Sequence, residues 1–165
     1  MAETHSLASL SEFRFEKHQV AATLVLSTGA LRHGCFFVVT SVTHGGPERV
    51  GDLLNSALGF FPFQHDDGST AQYNRDQLVM VRLPVGVAEE ELEPSYAIAT
   101  RREVSVTLST GTVVNGTVLV NATAGHERLS DYVRESKHFW YVLTPGGTLI
   151  VNSSHIVALV EKVNQ

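Results

Sequence analysis

Leu26-Ser27-Thr28-Gly29 and Leu108-Ser109-Thr110-Gly111 are the same four residues in the same order, 82 positions apart. Gly34 and Gly116 follow at that same offset. A second block matches Glu48-Arg49-Val50-Gly51-Asp52-Leu53 with Glu127-Arg128-Leu129-Ser130-Asp131-Tyr132 at an offset of 79, which also carries Phe60-Phe61 onto Phe139-Trp140. A third sets Asn74 on Asn152, and Leu78-Val79-Met80-Val81 on Ile156-Val157-Ala158-Leu159, at an offset of 78. Three blocks in one order, with small length changes between them, mark an internal duplication. Each copy spans roughly 60 residues, the size at which a lone domain is marginal and two copies gain by sharing a core.

The organisation expected is an N-terminal extension over residues 1–19, a first unit over 20–83, an acidic linker over 84–100 and a second unit over 101–165. In the linker, Pro84 and Pro94 bracket Glu89, Glu90, Glu91 and Glu93. Such a segment can dock a partner, but its composition favours a solvated, exposed connection.

Within a unit, Val104, Val106 and Leu108 alternate with Ser105, Thr107 and Ser109, the period of a half-buried strand. Ala22, Leu24 and Leu26 form the matching set in the first copy. Thr28-Gly29 and Thr110-Gly111 then turn the chain, since glycine accepts a positive φ. Gly34 and Gly116 suggest a sharp bend or bulge in the second strand. A short helix follows, with Pro47 and Glu48 at its start and Val50, Leu53 and Leu54, or Leu129, Tyr132 and Val133, on one face. An aromatic strand and two more strands complete the order β-β-α-β-β-β. The stretch Leu7 to Lys17 suits either a helical turn or an extra strand. The closing strands, Leu78 to Val81 and Ile156 to Val160, have no polar face, so both sides of each should be covered, one of them by the sister unit or another chain.

The strand, Gly turn, Gly-bearing second strand and closing Asn152-Ser153-Ser154-His155-Ile156-Val157 resemble small SH3-like or Sm-like barrels. The inserted Arg128-Leu129-Ser130-Asp131-Tyr132-Val133 and the aromatic strand after it resemble an uncharacterised bacterial family of small β domains. The resemblance covers both copies. It implies a mainly β (α+β) chain of two tandem barrels forming a pseudo-dimer. The helix lies between strands two and three rather than before strand one, and the basic RNA-contacting signature of Sm proteins is missing. The resemblance therefore implies a fold and no activity.

The chain has 165 residues, 43% hydrophobic and 18% charged, which is globular composition. Its net charge of -5 disfavours a general nucleic-acid binder. Its one cysteine, Cys35, excludes an intrachain disulfide and suits a reducing compartment. No secretory leader is expected from Met1-Ala2-Glu3-Thr4-His5. No stretch approaches the ~20 apolar residues of a membrane helix, so no membrane insertion is expected. Together these point to a soluble, cytoplasmic protein.

Candidates for chemistry are few. Glu48-Arg49 with Asp52, and Glu127-Arg128 with Asp131, form a repeated polar set that can bind a ligand at a helix start. Arg and Asp three apart on a helix also pair with each other, and that is the favoured role. The eight histidines, His5, His18, His33, His44, His65, His126, His138 and His155, lack the spacing of zinc sites. His44 and His126 precede the helices, where a metal or phosphate is conceivable. Cys35 lies in an apolar strand and reads as buried and inert. No nucleophile elbow, P-loop or dinucleotide fingerprint occurs.

No enzyme, cofactor or metal is therefore expected. The aromatic cluster Phe60, Phe61 and Phe63 of one copy pairs with the cluster Phe139, Trp140 and Tyr141 of the other, and consecutive aromatics on a strand point to both faces. Pro62 argues for an edge or bulge there. The expected function is a non-enzymatic scaffold or protein-interaction module that binds a protein partner or forms a homo-oligomer. The surface expected to carry it is Phe61, Phe63, Trp140, Tyr141, Val79, Val157 and Leu159. One alternative is an Sm-like binder of single-stranded nucleic acid using the aromatic strand and Arg101-Arg102. Another is a small-ligand sensor or enzyme in the groove between repeats.

Overall fold

The computed structural model describes residues 17–39, 47–56, 59–120, 128–135 and 137–163. The N-terminal element expected over Leu7 to Lys17 lies outside them except for Lys17, as do His5, His44, His126 and Glu127. The alternating segments form strands β1 (Lys17–Leu26) and β2 (Leu31–Val39) in the first half and β6 (Thr100–Leu108) and β7 (Val113–Val120) in the second. Gly29 and Gly111 turn each hairpin at φ 84° and 86°. Each of them donates its N–H, at 2.9 Å, to the carbonyl of the leucine three residues before.

Helices α1 (Val50–Ser56) and α2 (Leu129–Glu135) follow, as expected. Val50 and Leu54 are fully buried, whereas Val133, expected on the inner face of α2, is exposed. The aromatic strands are β3 (Phe60–His65) and β8 (Phe139–Thr144), followed by β4 (Thr70–Asn74) and β9 (Gly147–Asn152). The closing strands are β5 (Leu78–Arg82) and β10 (Ile156–Glu161). Before each closing strand comes a short 3-10 turn, Arg75–Gln77 or Ser153–His155. Asn74 and Asn152 cap these turns, each Oδ1 accepting an N–H two residues on at 3.0 Å.

All ten strands belong to one antiparallel sheet in the order β10-β6-β7-β8-β9-β5-β1-β2-β3-β4. The sheet is open: hydrogen bonds close it nowhere, and β10 and β4 are its ends. The order within the first half, β5-β1-β2-β3-β4, repeats in the second as β10-β6-β7-β8-β9. Details repeat too. The ladder shifts register between Val25 and Leu26 on β1, and between Ile156 and Ala158 on β10, which leaves Val79 and Val157 as equivalent bulged residues. A Cβ on Gly34 would collide with the Gln64 carbonyl, and one on Gly116 with the Leu143 carbonyl. Only glycine lets β2 and β7 bend this closely over their neighbours.

Two cores sit on this sheet. The first packs Leu24, Phe36, Val38, Leu54, Phe61 and Phe63, and takes Phe139 and Ile150 from the second half. The second packs Val104, Val106, Leu108, Val118 and Val142, and takes Val25, Val79 and Met80 from the first. β5 lies between the two: Leu78 and Val81 enter the first core, Val79 and Met80 the second. Its lack of a polar face follows from that position. β10 breaks the expectation. Val157 and Val160 are exposed, because among the described residues no strand flanks β10 on its outer side.

Candidate functional site

The joint between the halves is where β5 pairs with β9, Met80, Val81 and Arg82 lying opposite Val151, Ile150 and Leu149. Side chains reinforce it. The Asn152 amide, fully buried, donates to the Leu78 carbonyl at 2.8 Å. Asn55 of α1 docks on β8 as an extra strand residue would, donating to the Phe139 carbonyl at 3.2 Å and accepting its N–H at 2.9 Å. His155 Nε2 donates to the Asp76 carbonyl at 2.6 Å.

The duplication places the equivalents of these strands at the two ends of the sheet. β10 corresponds to β5, and β4 corresponds to β9. Residues that are buried at the joint have exposed counterparts at the ends. Val79 is 0% exposed and Val157 is 69%. Phe139, on β8 beside the joint, is 3% exposed, and Phe60, on β3 one strand in from the β4 end, is 59%. Val160, the counterpart of Arg82, is 59% exposed on the outermost strand. An unpaired edge with apolar side chains is a template for strand addition.

Several residues expected to meet a partner lie elsewhere. Phe61 and Phe63 are fully buried and pack on Phe36, with ring centroids 5.7 and 5.1 Å apart. Trp140 is buried against Tyr132. Tyr141 is half-buried, and its hydroxyl donates to Glu89 at 2.9 Å. Val79 is already covered by the second half. Of the expected set, Val157 is exposed and Leu159 half-exposed. Phe60 and Val160 were not in that set; strand parity places Phe60 on the face opposite Phe61.

The linker also departs from expectation. Glu89 and Glu90 are buried. Glu89 accepts the N–H groups of Val50 and Gly51, at 2.8 and 3.3 Å, together with the Tyr141 hydroxyl, so one carboxylate ties the linker to both halves. Burial pushes its pKa up, although these hydrogen bonds oppose the shift. Burial and the Glu89 charge likewise push the Tyr141 phenol up.

Arg49 grips Asp52 with two hydrogen bonds, at 2.8 and 2.7 Å, and reaches Glu93 at 2.8 Å. Burial works against the Asp52 carboxylate, but Arg49 outweighs it and holds the pKa below the usual range. The expected pairing role of this set is what the first copy shows. Glu93 lies 3.9 Å from Lys137 as well. Asp52, Glu93 and Lys137 border a cleft of about 240 Å³ between α1, the linker and β8.

His155 accepts from or donates to Ser109 Oγ through Nδ1 at 2.7 Å, as Gln77 meets Ser27 in the other copy, a structural contact. Burial raises the Cys35 thiol, whose nearest acceptor is Gln64 at 3.7 Å. Arg101 hydrogen-bonds Tyr96 at 3.0 Å and lies over its ring, and Arg102 pairs with Glu161 at 3.4 Å. Among the described residues no three His, Cys, Asp or Glu side chains converge as a metal site, and no helix is long and apolar enough to cross a membrane. No protein-family model, curated protein or solved structure matches this chain.

Proposed function

We propose that this protein is a non-enzymatic scaffold that assembles head to tail. Each chain contributes two SH3-like or Sm-like barrel units, and β10 of one chain adds to β4 of the next as β5 adds to β9 within the chain. The observation that carries this reading is the mismatch in exposure between equivalent residues: Val79 and Ile150 are fully buried at the internal joint, and their counterparts Val157 and Gln72 are exposed at the ends.

The register follows from the duplication. Ala158, Leu159 and Val160 would face Tyr73, Gln72 and Ala71 of the next chain, copying Met80, Val81 and Arg82 against Val151, Ile150 and Leu149. Such a contact joins two different surfaces, so it repeats until a ring closes or a filament grows. Backbone pairing supplies affinity, and Val157, Leu159 and Phe60, whose counterparts Val79, Val81 and Phe139 are buried, supply apolar burial, each fully covered side chain contributing about 1.5–3 kcal/mol.

Light scattering of the full chain over a range of concentrations tests it. Wild type should exceed the single-chain mass. Val157→Asp blocks the β10 end and Phe60→Asp blocks the β4 end, so each variant alone should be monomeric. Mixed, they retain one good edge of each kind and should form a two-chain complex and nothing larger. Wild type that stays monomeric, or a mixture that stays monomeric, would sink the proposal.

A further inference from the structure

We propose that the cleft between the halves binds a small organic cation with a guanidinium or primary ammonium head. The cleft, about 240 Å³, has room for several waters or a small organic molecule. Tyr96, Tyr132 and Trp140 supply aromatic walls, and Asp52, Glu90 and Glu93 supply carboxylates. The decisive group is Glu90. It is 5% exposed, and its Oε2 accepts the Thr148 hydroxyl at 2.8 Å. Among the described residues no cation pairs with it, whereas Asp52 and Glu93 both have Arg49.

Thr148 gives this carboxylate one neutral hydrogen bond, and a carboxylate has further acceptor sites for a charged donor. The site is built to take one. Arg49 already stacks 5.8 Å from the Tyr141 ring at the cleft wall, and Lys137 lies at its rim. An anion would meet three carboxylates, and a neutral ligand would gain less from them than a cation. A guanidinium or ammonium can hydrogen-bond Glu90 while its carbon chain lies on the aromatic walls.

Trp140, the one tryptophan of the chain, lines the cleft and reports occupancy through its own fluorescence. Butylguanidine and butylurea, isosteric but differing in charge, are the probes for the full chain. Butylguanidine should give a saturable change with a midpoint below about 1 mM, and butylurea should bind at least about tenfold more weakly. Glu90→Gln should abolish that discrimination. Should that variant fail to fold, Tyr96→Ala decides in its place: weakening of about threefold or more supports the site, and unchanged affinity overturns it. No saturation by about 10 mM, equal binding of the two probes, or discrimination surviving in Glu90→Gln would also overturn it. Val157→Asp should bind like wild type, so failure of the cleft and failure of the assembly are read separately.

Discussion

Leu78-Val79-Met80-Val81 and Ile156-Val157-Ala158-Leu159 are equivalent strands in environments of opposite kind. Both are apolar on both sides, and both carry the same bulge against a first strand ending Leu-Ser-Thr-Gly. β5 is wedged between two cores and wholly buried over these four residues, while β10 is half bare. The apolar pattern states what a strand needs, and the neighbouring strand decides whether the need is met. β5 has β9 beside it. Among the described residues β10 has no strand beside it on its outer side, so its composition makes physical sense when a further strand is supplied there.

The sharpest way to break this comparison is to place one charge at both bulges. Val79→Asp buries an uncompensated carboxylate between two cores and should cost more than about 4 kcal/mol, a large share of the roughly 5–15 kcal/mol that holds a domain folded. Val157→Asp should change stability by no more than about 0.5 kcal/mol when measured on monomer, because the site is at the surface. Urea denaturation of the two variants at low protein concentration checks both. Equal destabilisation would mean that β10 is covered within its own chain, and the proposed assembly would lose its foundation.

Much of this was legible in the sequence. The repeat, the order β-β-α-β-β-β and the glycine bends follow from short matched blocks, since turn and pleat chemistry are local. The need of β5 for two covers was legible too. The aromatic face was misread, although the signal was present. Positions 61 and 140 are Phe and Trp, and 63 and 142 are Phe and Val, large and apolar in both copies; position 62 is Pro where 141 is Tyr. Comparing the copies marks the first two positions as core, whereas either copy alone leaves strand parity open. The burial of Glu89 and Glu90 within an otherwise largely exposed linker was not legible. Four glutamates between prolines read as solvated because their partners, the Val50 and Gly51 N–H groups, Tyr141 and Thr148, lie from 38 to 58 residues away. The single open sheet was equally hidden, because pairing β5 with β9 is a choice between surfaces that both copies offer.

A smaller effect sharpens the comparison at the two asparagines. Asn152→Ala removes the cap on Ser154 and leaves the buried Leu78 carbonyl without its side-chain donor, at a cost of about 2 kcal/mol. Asn74→Ala removes only the equivalent cap on Asp76 from the isolated chain and should cost about 1 kcal/mol. If β4 meets β10 of the next chain, the Asn74 amide takes up the role that Asn152 has at the joint. Its loss should then weaken assembly beyond its effect on monomer stability. Denaturation of monomer and the concentration dependence of mass, measured on the same variant, separate the two.

The smallest effect distinguishes the internal joint from its proposed copy between chains, because only the internal one is bridged by the linker. Glu89 is raised above its ordinary value of 4.5 by burial. Its contribution to stability is therefore fully present below 4.5, where it is protonated folded or unfolded, and declines as pH rises through the folded value. The stability of wild type relative to Glu89→Gln should fall with rising pH across that window and then level off. Asp52 runs the other way: its pKa is lowered below 3.8, so its contribution is present above that value and lost as pH falls through the folded one. Subtracting the Glu89→Gln profile from wild type isolates the first trend, since both proteins keep Asp52. A flat difference would mean that Glu89 is not buried as a carboxylate between the halves. The same pH series should leave the difference in assembly between wild type and Glu89→Gln unchanged, because no linker crosses the contact between β10 and β4 of the next chain.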